Sequence, residues 1–229
     1  MSVIVPPTPR DAWREVWAIR ELPRLMAHAP LLARVPRGDG APVLALPGAS
    51  SGDRSTALLR AFLNRIGYAA YPWRLGVNDA NVEAFLPTVT HLVRRLAEQH
   101  GRRVTLTGWS NGGIIAREVA RDEPDLIRHV FTYGTPIIGG PRYTIGARFY
   151  PDAELERLDA LIEERNRVPL EVPVTAFWSR RDGIVAWRSC FDALNHQVEH
   201  LEVRSSHLGM TVDPLVWRTI AQRLASSMR

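Results

Sequence analysis

One serine of this 229-residue chain stands in a local sequence that suits nucleophilic catalysis. Ser110 is the centre of the pentapeptide GWSNG, residues 108–112, which joins an apolar run typical of a strand to a segment with helical spacing. A sharp strand-to-helix turn strains the backbone of the nucleophile and requires small residues two positions before and after it. The turn lifts the hydroxyl above the sheet, beside a helix N-terminus that favours negative charge. The pattern predicts a serine nucleophile, and the alternative is an idle serine in a glycine-rich turn.

A serine hydroxyl is a weak nucleophile until a base removes its proton and an acid orients that base. For a serine on such a turn, the acid is expected after the next-to-last strand and the histidine after the last one. The last two strand-like runs are residues 172–179 and 198–205, and they are followed by Asp182 and by His207. Ser110, Asp182 and His207 are therefore the predicted catalytic triad.

Other acids and histidines are poorly placed for these two roles. Asp192 and Asp213 are the rival acids, but each belongs to a helix or to its start rather than to a strand end. The rival histidines lie before the sheet, on or just beyond a helix, or at a strand start, and we expect structural or solvated roles for them. These histidines are His28, His91, His100 and His129.

The acyl-transfer transition state also needs hydrogen-bond donors for its developing oxyanion. The backbone N–H of Asn111, directly after the nucleophile, is one candidate. The second donor is expected in the loop after the first strand, where Gly48 lets the chain turn and Ala49 offers its N–H. The pattern predicts an oxyanion hole formed by Ala49 and Asn111, although the same loop also serves as an ordinary strand-to-helix connection.

Residues 137–171 lie between two predicted strands, at the sheet edge where the active-site loops gather. The segment is long enough for a rim or a short flap with one helix, near residues 152–166, and too short for a large amphipathic lid. We expect a small cap whose leucines pack downward on the domain. Ile138, Leu208 and Trp73 are the predicted apolar contacts for an acyl chain, which implies a small pocket.

The elements that position these residues alternate between strands and helices. Short apolar runs predict six strands, and segments with helical spacing separate them. The strand-like runs are residues 42–48, 68–73, 103–109, 128–134, 172–179 and 198–205. Such alternation predicts an α/β fold with a mostly parallel sheet covered by helices on both faces.

Residues 1–40 precede the first predicted strand and form a separate helical segment. Thr8 can cap a helix that starts at Pro9 or Arg10 and carries Trp13, Val16, Trp17 and Ile19 between charged residues. A basic amphipathic helix with tryptophans could lie on a membrane surface. More often such a helix packs its apolar face on its own domain, and that is the prediction for this one.

Composition excludes several classes of function. With 45% hydrophobic and 23% charged residues, the chain suits one compact domain. The net charge of +5 comes from arginines spread along the whole length, so we expect no nucleic-acid partner. All 29 basic residues are arginine, which rules out a lysine Schiff base and a serine–lysine dyad. Cys190 is the single cysteine, so an intrachain disulfide and cysteine-based zinc sites are impossible.

The sequence offers no sign of an address outside the cytoplasm. The N-terminal residues lack the basic region, the long apolar region and the cleavage site of a signal peptide. No run approaches the ~20 apolar residues of a membrane span. We expect a cytoplasmic protein without stable membrane insertion, and the oligomeric state is left open.

One motif suggests a different chemistry. Residues 196–200, HQVEH, match an inverted zinc-peptidase pattern. Such a site needs both histidines on one helix face together with a third ligand, whereas His196 and His200 run into strand-like sequence that separates them. We therefore expect no metal and no cofactor.

Taken together, the motifs resemble those of α/β-hydrolases of the lipase/esterase group. The resemblance covers roughly residues 41–229 and rests on PVLALPGASSGD, GWSNGGIIARE, FTYGTP, SRRDGIV and SSHLGM in that order. It implies the same triad and oxyanion hole. The chain departs from the group's pattern at Pro47-Gly48, where His-Gly is usual, and at Trp109 and Asn111 beside the nucleophile. The first two strands of the full fold are also absent, with the helical segment in their place.

These observations predict a serine hydrolase that cleaves carboxylic esters of short to medium acyl chains through an acyl-enzyme, with a small-molecule ester as its partner. The alternative on the same triad is an acyltransferase or a thioesterase. A non-catalytic binding protein of the same fold is the reading from a different class, and an intact triad argues against it.

Overall fold

Six strands within residues 4–226, the part of the chain that the computed structural model describes, form one sheet. They are β1 (Pro42–Leu46), β2 (Ala69–Pro72), β3 (Val104–Trp109), β4 (Ile127–Tyr133), β5 (Val174–Trp178) and β6 (Val198–Glu202). The order across the sheet is β2-β1-β3-β4-β5-β6, and every neighbouring pair is parallel. The prediction of a parallel α/β sheet of six strands is confirmed.

Helices cover both faces of this sheet, because each parallel connection must return the chain to the starting edge. The helices are α1 (Glu21–Ala27), α2 (Ala29–Leu32), α3 (Ala57–Arg65), α4 (Val82–His100), α5 (Asn111–Asp122), α6 (Asp152–Asn166) and α7 (Pro214–Ser226). Val43 and Phe131 pack with side chains of α3 and α7 on one face, while Leu44 and Val130 pack with α4 and α5 on the other. The central strands are therefore buried on both sides, as their unbroken apolar runs require.

The strand order reverses at β1, which has β2 on one side and β3 on the other. The connections that leave β1 and β3 therefore diverge to opposite faces and open a crevice at the carboxyl edge of the sheet. Ligands of open α/β sheets bind in such a crevice. The loop after β1 contains Ala49, and the turn after β3 contains Ser110.

Residues 10–34, called the N-terminal segment below, pack on the α7 face of the sheet. Leu25 and Leu32 are buried among core residues that include Trp217 of α7. Arg24 adds ion pairs at 3.0 Å to Glu21 and at 3.3 Å to Asp213, directly before α7. Leu25 of α1 and Leu32 of α2 therefore attach this segment to the core.

The first part of the N-terminal segment differs from the expectation. It is a 3₁₀ helix, Asp11–Arg20, rather than an α-helix, and its large apolar side chains face outward. A 3₁₀ helix repeats every three residues, so one column holds Ala12, Glu15 and Ala18, and this column is the one turned toward the domain. The exposed residues are Trp13, Val16, Trp17 and Ile19. The predicted inward packing of these four side chains is wrong.

Residues 137–171 contain two short 3₁₀ turns, Gly140–Tyr143 and Ile145–Phe149, followed by α6. The single α-helix lies where the sequence predicts it. No helix within residues 4–226 combines the length and the apolar character that crossing a membrane requires.

Candidate active site

Ser110 occupies the sharp turn between β3 and α5. Its backbone angles, φ 53° and ψ −122°, lie in a region that residues with a side chain rarely adopt. The turn is held on both sides, since the Ser110 N–H donates to the Tyr133 carbonyl at 2.9 Å and the Ser110 carbonyl accepts from the Thr135 hydroxyl at 3.0 Å. Strain of this kind persists only where neighbouring structure over-determines it. The structure therefore gives Ser110 the backbone that its motif predicts.

Gly112, two residues after Ser110, lies where the start of α5 packs closely against the backbone at the end of β1. A Cβ atom on Gly112 would lie 2.5 Å from the carbonyl oxygens of both Leu46 and Pro47, at the end of β1. Real Cβ contacts do not come so close, so a side chain at this position would separate α5 from β1. The spacing of the GWSNG motif is thus a packing requirement of the turn.

Asp182 and His207 are brought together by the loops after β5 and β6. His207 Nδ1 lies 2.7 Å from Asp182 Oδ2, and both side chains are buried. The other carboxylate oxygen accepts hydrogen bonds from the backbone N–H groups of Ile184, at 2.9 Å, and Val185, at 2.7 Å. A carboxylate fixed in this way keeps the imidazole proton on Nδ1 and leaves Nε2 as the acceptor.

The charges around His207 favour its protonated form. Burial lowers the pKa of His207, but the charge and hydrogen bond of Asp182, with a further contribution from the charge of Glu15, outweigh burial and raise that pKa above its ordinary value. An imidazole with a raised pKa is a stronger base, so it accepts a proton from a hydroxyl group more readily. Only the neutral form of His207 can act as a base. Because the pKa of His207 is raised, acidification protonates this residue at a higher pH than it would an ordinary histidine.

Gly134, directly after β4, lies beneath the acid–histidine pair. Its φ of +61° is in the left-handed region, and a Cβ atom there would lie 2.7 Å from His207 Nδ1 and 3.3 Å from Asp182 Oδ2. A side chain at this position would therefore separate the two groups. The sequence places this glycine in the FTYGTP motif without revealing what it faces.

The predicted oxyanion donors lie beside the nucleophile. Ala49 and Asn111 line the same cavity as Ser110 and His207. Among the described residues, no oxygen accepts a hydrogen bond from the backbone N–H of either Ala49 or Asn111. A developing oxyanion needs hydrogen-bond donors that have no other acceptor. Ala49 and Asn111 therefore stay the predicted oxyanion donors.

Asn78 holds the loop after β1, and sequence reasoning missed it. Its side-chain amide donates to the Pro47 carbonyl at 2.8 Å. Its backbone carbonyl accepts from the Ser50 N–H at 2.7 Å, and its backbone N–H donates to the Ser51 carbonyl at 2.8 Å. The Asn78 side chain is completely buried. These bonds fix the backbone on both sides of Ala49. The sequence Gly76-Val77 before Asn78 indicates a turn, but it does not reveal that this turn contacts the loop after β1.

Glu15 of the N-terminal 3₁₀ helix is the second residue that sequence reasoning missed. One carboxylate oxygen accepts hydrogen bonds from the backbone N–H groups of Gly183, at 2.9 Å, and His207, at 3.1 Å. The other oxygen accepts from the N–H of Leu208 at 2.8 Å. Gly183 directly follows Asp182, so a single carboxylate joins the loops that carry Asp182 and His207.

A cavity of about 880 Å³ opens beside Ser110, between the carboxyl edge of the sheet and α6. Its volume lies near the upper end of the range for small-molecule sites. Apolar side chains of α4, α5, α6 and the loops form much of its wall: Leu86, Pro87, Ile114, Ile137, Ile145, Leu158, Leu161, Ile162 and Val185. Charged residues also line it, and among them Arg157 pairs with Glu83 at 2.8 Å and with Glu154 at 2.9 Å.

Of the three predicted substrate contacts, the structure places one at this cavity. Leu208 lines it and is partly exposed. Trp73 is fully buried, packs against Phe85 with ring centroids 4.7 Å apart, and donates its indole N–H to the Gly76 carbonyl, so it belongs to the core. Ile138 is partly exposed and does not line the cavity, whereas the adjacent Ile137 does. The small pocket expected from these contacts is in fact a larger cavity walled by α6.

The rival acids and the metal-like motif have other partners. Asp192 forms an ion pair with buried Arg117 at 2.6 Å, and Asp213 accepts from the Leu215 N–H at the start of α7. Asp192 and Asp213 therefore have structural contacts of their own.

His200 of the metal-like motif lies on β6, and its ring stacks on Phe191 with centroids 5.0 Å apart. Within residues 4–226, no group of three or more histidine, cysteine, aspartate or glutamate residues is arranged to hold a metal ion.

The fold, but not the sequence, matches known proteins. No protein-family model matches the chain, and no curated protein matches its sequence. A metagenome-derived lipolytic enzyme matches with a TM-score of 0.65 at 15% identity, over 84% of this chain and 96% of that one. An α/β superfamily hydrolase from Oenococcus oeni matches with a TM-score of 0.62 at 17% identity, over 84% and 94%. A monoacylglycerol lipase from Paleococcus ferrophilus matches with a TM-score of 0.60 at 17% identity, over 82% and 96%.

Proposed function

We propose that this chain, which has the α/β-hydrolase fold, is a serine esterase that cleaves carboxylic esters through an acyl-enzyme on Ser110. The observation that carries the proposal is the buried Asp182–His207 hydrogen bond, at 2.7 Å, together with Ser110 on a strained strand-to-helix turn that lines the same cavity as His207. Its setting, a largely apolar cavity open to small molecules, suits an ester with an apolar acyl group.

In the proposed reaction, the Ser110 oxygen attacks the ester carbonyl while His207 Nε2 takes the hydroxyl proton. Asp182 stabilises the imidazolium that forms and keeps its orientation. The carbonyl electrons move to the oxygen, where the N–H groups of Ala49 and Asn111 donate hydrogen bonds. When the tetrahedral intermediate collapses, His207 returns the proton to the leaving alcohol. A water molecule then repeats these steps on the acyl-enzyme, and the products are a carboxylic acid and free Ser110.

The substrates that we propose are esters of short to medium acyl chains. The cavity has room for such a chain along the apolar side chains of α6, and the charged residues in its wall do not favour a longer apolar chain. Each buried methylene adds at most about 0.8 kcal/mol, and this gain stops when the apolar part of the cavity is full.

Replacement of Ser110 by alanine tests the proposal. By analogy with a protease triad, loss of the nucleophile is expected to lower kcat by about 10⁶-fold while the fold is retained. Hydrolysis of nitrophenyl esters and labelling by a fluorophosphonate probe are the two measurements. The matched control is Ser50→Ala, because Ser50 is a second serine that lines the cavity. It is expected to keep both activity and labelling.

Two outcomes would contradict the proposal. If Ser110→Ala keeps more than about a tenth of wild-type activity, the nucleophile is elsewhere. If the wild-type protein neither reacts with the probe nor cleaves esters of any chain length, the fold serves binding rather than turnover.

A further inference from the structure

The N-terminal 3₁₀ helix exposes a line of large apolar side chains. Trp13, Val16 and Ile19 are three residues apart, so the 3₁₀ repeat places them in one column, which we call the apolar ridge. Their exposed fractions are 76%, 59% and 78%. Adjacent apolar side chains on a surface mark a site of interaction more often than scattered single ones do.

The ridge cannot turn inward without cost to the candidate active site. The opposite column of the same helix contains Glu15, whose carboxylate accepts hydrogen bonds from the backbone of the loops that carry Asp182 and His207. Rotation of the helix to bury Trp13 would break those bonds. Among the described residues, the ridge is therefore held outward, away from the domain.

Cations surround the ridge. Arg10, Arg14 and Arg20 are exposed, and the Arg20 guanidinium lies 3.9 Å from the ring centroid of exposed Trp17. Asp11 pairs with Arg14 at 2.9 Å, and Glu15 faces the domain, so the outward side of Asp11–Arg20 carries an excess of positive charge. Tryptophan and arginine beside an apolar stripe are the composition of helices that lie in the interface of anionic membranes.

We propose that the apolar ridge docks on an anionic lipid surface, with its three side chains among the acyl chains and its arginines at the headgroup phosphates. A second copy of the chain is the less suitable occupant, because a symmetric contact of ridge on ridge would place like-charged arginines opposite each other. Leu208 lines the cavity and also donates its N–H to Glu15, so the docked helix would contact a residue of the cavity wall. The ester substrate would then be drawn from that surface, an extension that rests on the proposed esterase activity.

Flotation with vesicles tests docking without any need for turnover. The inactive Ser110→Ala protein is mixed with vesicles of phosphatidylcholine alone or with one third phosphatidylglycerol. We expect it to float with the anionic vesicles only, and to be released by high salt. Trp13→Ser/Ile19→Ser is expected to weaken the binding by about 100-fold or more, because two apolar side chains no longer enter the bilayer.

A second variant separates the charge from the apolar contact. Arg10→Gln/Arg20→Gln is expected to weaken binding about 25-fold, since one arginine near an anionic surface contributes about fivefold. The matched control is Val168→Ser/Leu194→Ser, which removes two exposed apolar side chains from loops away from the ridge and is expected to bind like the parent. Circular dichroism and thermal unfolding verify that each variant folds.

Three results would overturn the proposal. One is that the parent protein fails to float with anionic vesicles. A second is that the ridge variant and the loop control bind equally. The third is that the parent forms a dimer which Trp13→Ser/Ile19→Ser dissociates, because the ridge would then be an interface between copies. None of these results depends on ester hydrolysis, so failure of docking and failure of the proposed enzyme activity are distinguishable.

Discussion

The N-terminal 3₁₀ helix and the sheet domain, residues 41–226, orient their apolar side chains in opposite directions. In the sheet domain, the apolar faces of α3, α4, α5 and α7 pack on the strands. In Asp11–Arg20, the apolar side chains point outward and Glu15 points toward the domain. The difference teaches that the spacing of apolar residues defines the faces of a helix but does not decide which face is buried.

Backbone N–H groups of the sheet domain hold the N-terminal helix in its observed orientation through Glu15. The backbone N–H groups of Gly183, His207 and Leu208 lie in loops outside the sheet ladder, and Glu15 accepts from all of them. A hydrogen bond to a charged group contributes about 1.5–3 kcal/mol, and a buried N–H left unpaired costs about 1–3 kcal/mol. Burying one large apolar side chain contributes a similar amount, about 1.5–3 kcal/mol. The two terms are comparable for each group, so the hydrogen bonds to Glu15 offset much of the free energy that inward packing of the apolar side chains would contribute.

The proposed chemistry lies in the sheet domain, and Asp182→Asn tests this with a large expected effect. The amide preserves the geometry but favours the wrong imidazole tautomer, so kcat is expected to fall on the order of 10⁴-fold. Steady-state hydrolysis of a nitrophenyl ester measures it. Asp192→Asn and Asp213→Asn are the controls, because both side chains have structural partners. A larger fall in either control would show that the acid is wrongly assigned.

Glu15 of the N-terminal segment is expected to position the loops that carry Asp182 and His207, and Glu15→Gln tests this with an intermediate effect. The amide cannot accept from every donor that Glu15 now serves, so the His207 loop is expected to shift and kcat to fall about 10- to 100-fold, with little change in KM. Asp11→Asn is the control, since Asp11 contacts only exposed neighbours through its side chain.

The pH profile of Glu15→Gln distinguishes positioning from mere destabilisation. Glu15 is one of the charges that raise the pKa of His207. Activity requires neutral His207, so in the wild type kcat/KM is expected to fall as the pH drops through a value above the ordinary histidine pKa of about 6.5. Removal of the Glu15 charge should move this acidic limb to lower pH. An unchanged limb would show that Glu15 does not act on His207.

The smallest expected effect concerns acyl-chain length. Within residues 4–226, the cavity is lined by side chains from the sheet domain and by none from the N-terminal segment. Leu158→Trp should fill part of the cavity and move the preferred chain to shorter esters, with rate changes of up to about fourfold per methylene. Trp13→Ser should leave the profile of soluble esters unchanged. A shift with Trp13→Ser would mean that the N-terminal segment shares in the binding of the acyl chain.

The sequence predicts features that depend on neighbours along the chain. The strand runs, the glycine spacing around Ser110 and the loops that hold Asp182 and His207 are all local patterns, and the structure has them where they are expected. Buried parallel strands are continuous apolar runs, which makes them easy to locate. The order of the triad along the chain then follows from the order of the strand ends.

The features that the sequence does not predict depend on contacts between distant residues. Glu15 meets His207 across 192 positions, and nothing near Glu15 signals that partner. Asn78 reaches back 31 positions to Pro47. Ile137 lines the cavity and the adjacent Ile138 does not, because an irregular loop points the two side chains in different directions. Trp73 directly follows β2, and its position suggests the active-site edge, but the side chain turns under α4 into the core.

The Glu15 contact also bears on where a functional unit begins. The motifs of the hydrolase fold start near residue 41, and a polypeptide cut there would keep every strand of the described sheet and all of the candidate triad. It would lack the carboxylate that accepts from the loops of the acid and the base. A domain boundary placed at residue 41 would therefore yield a fragment that has the whole candidate triad but lacks the hydrogen bonds from Glu15 to the His207 loop. For protein engineers, the minimal active fragment is expected to include Glu15.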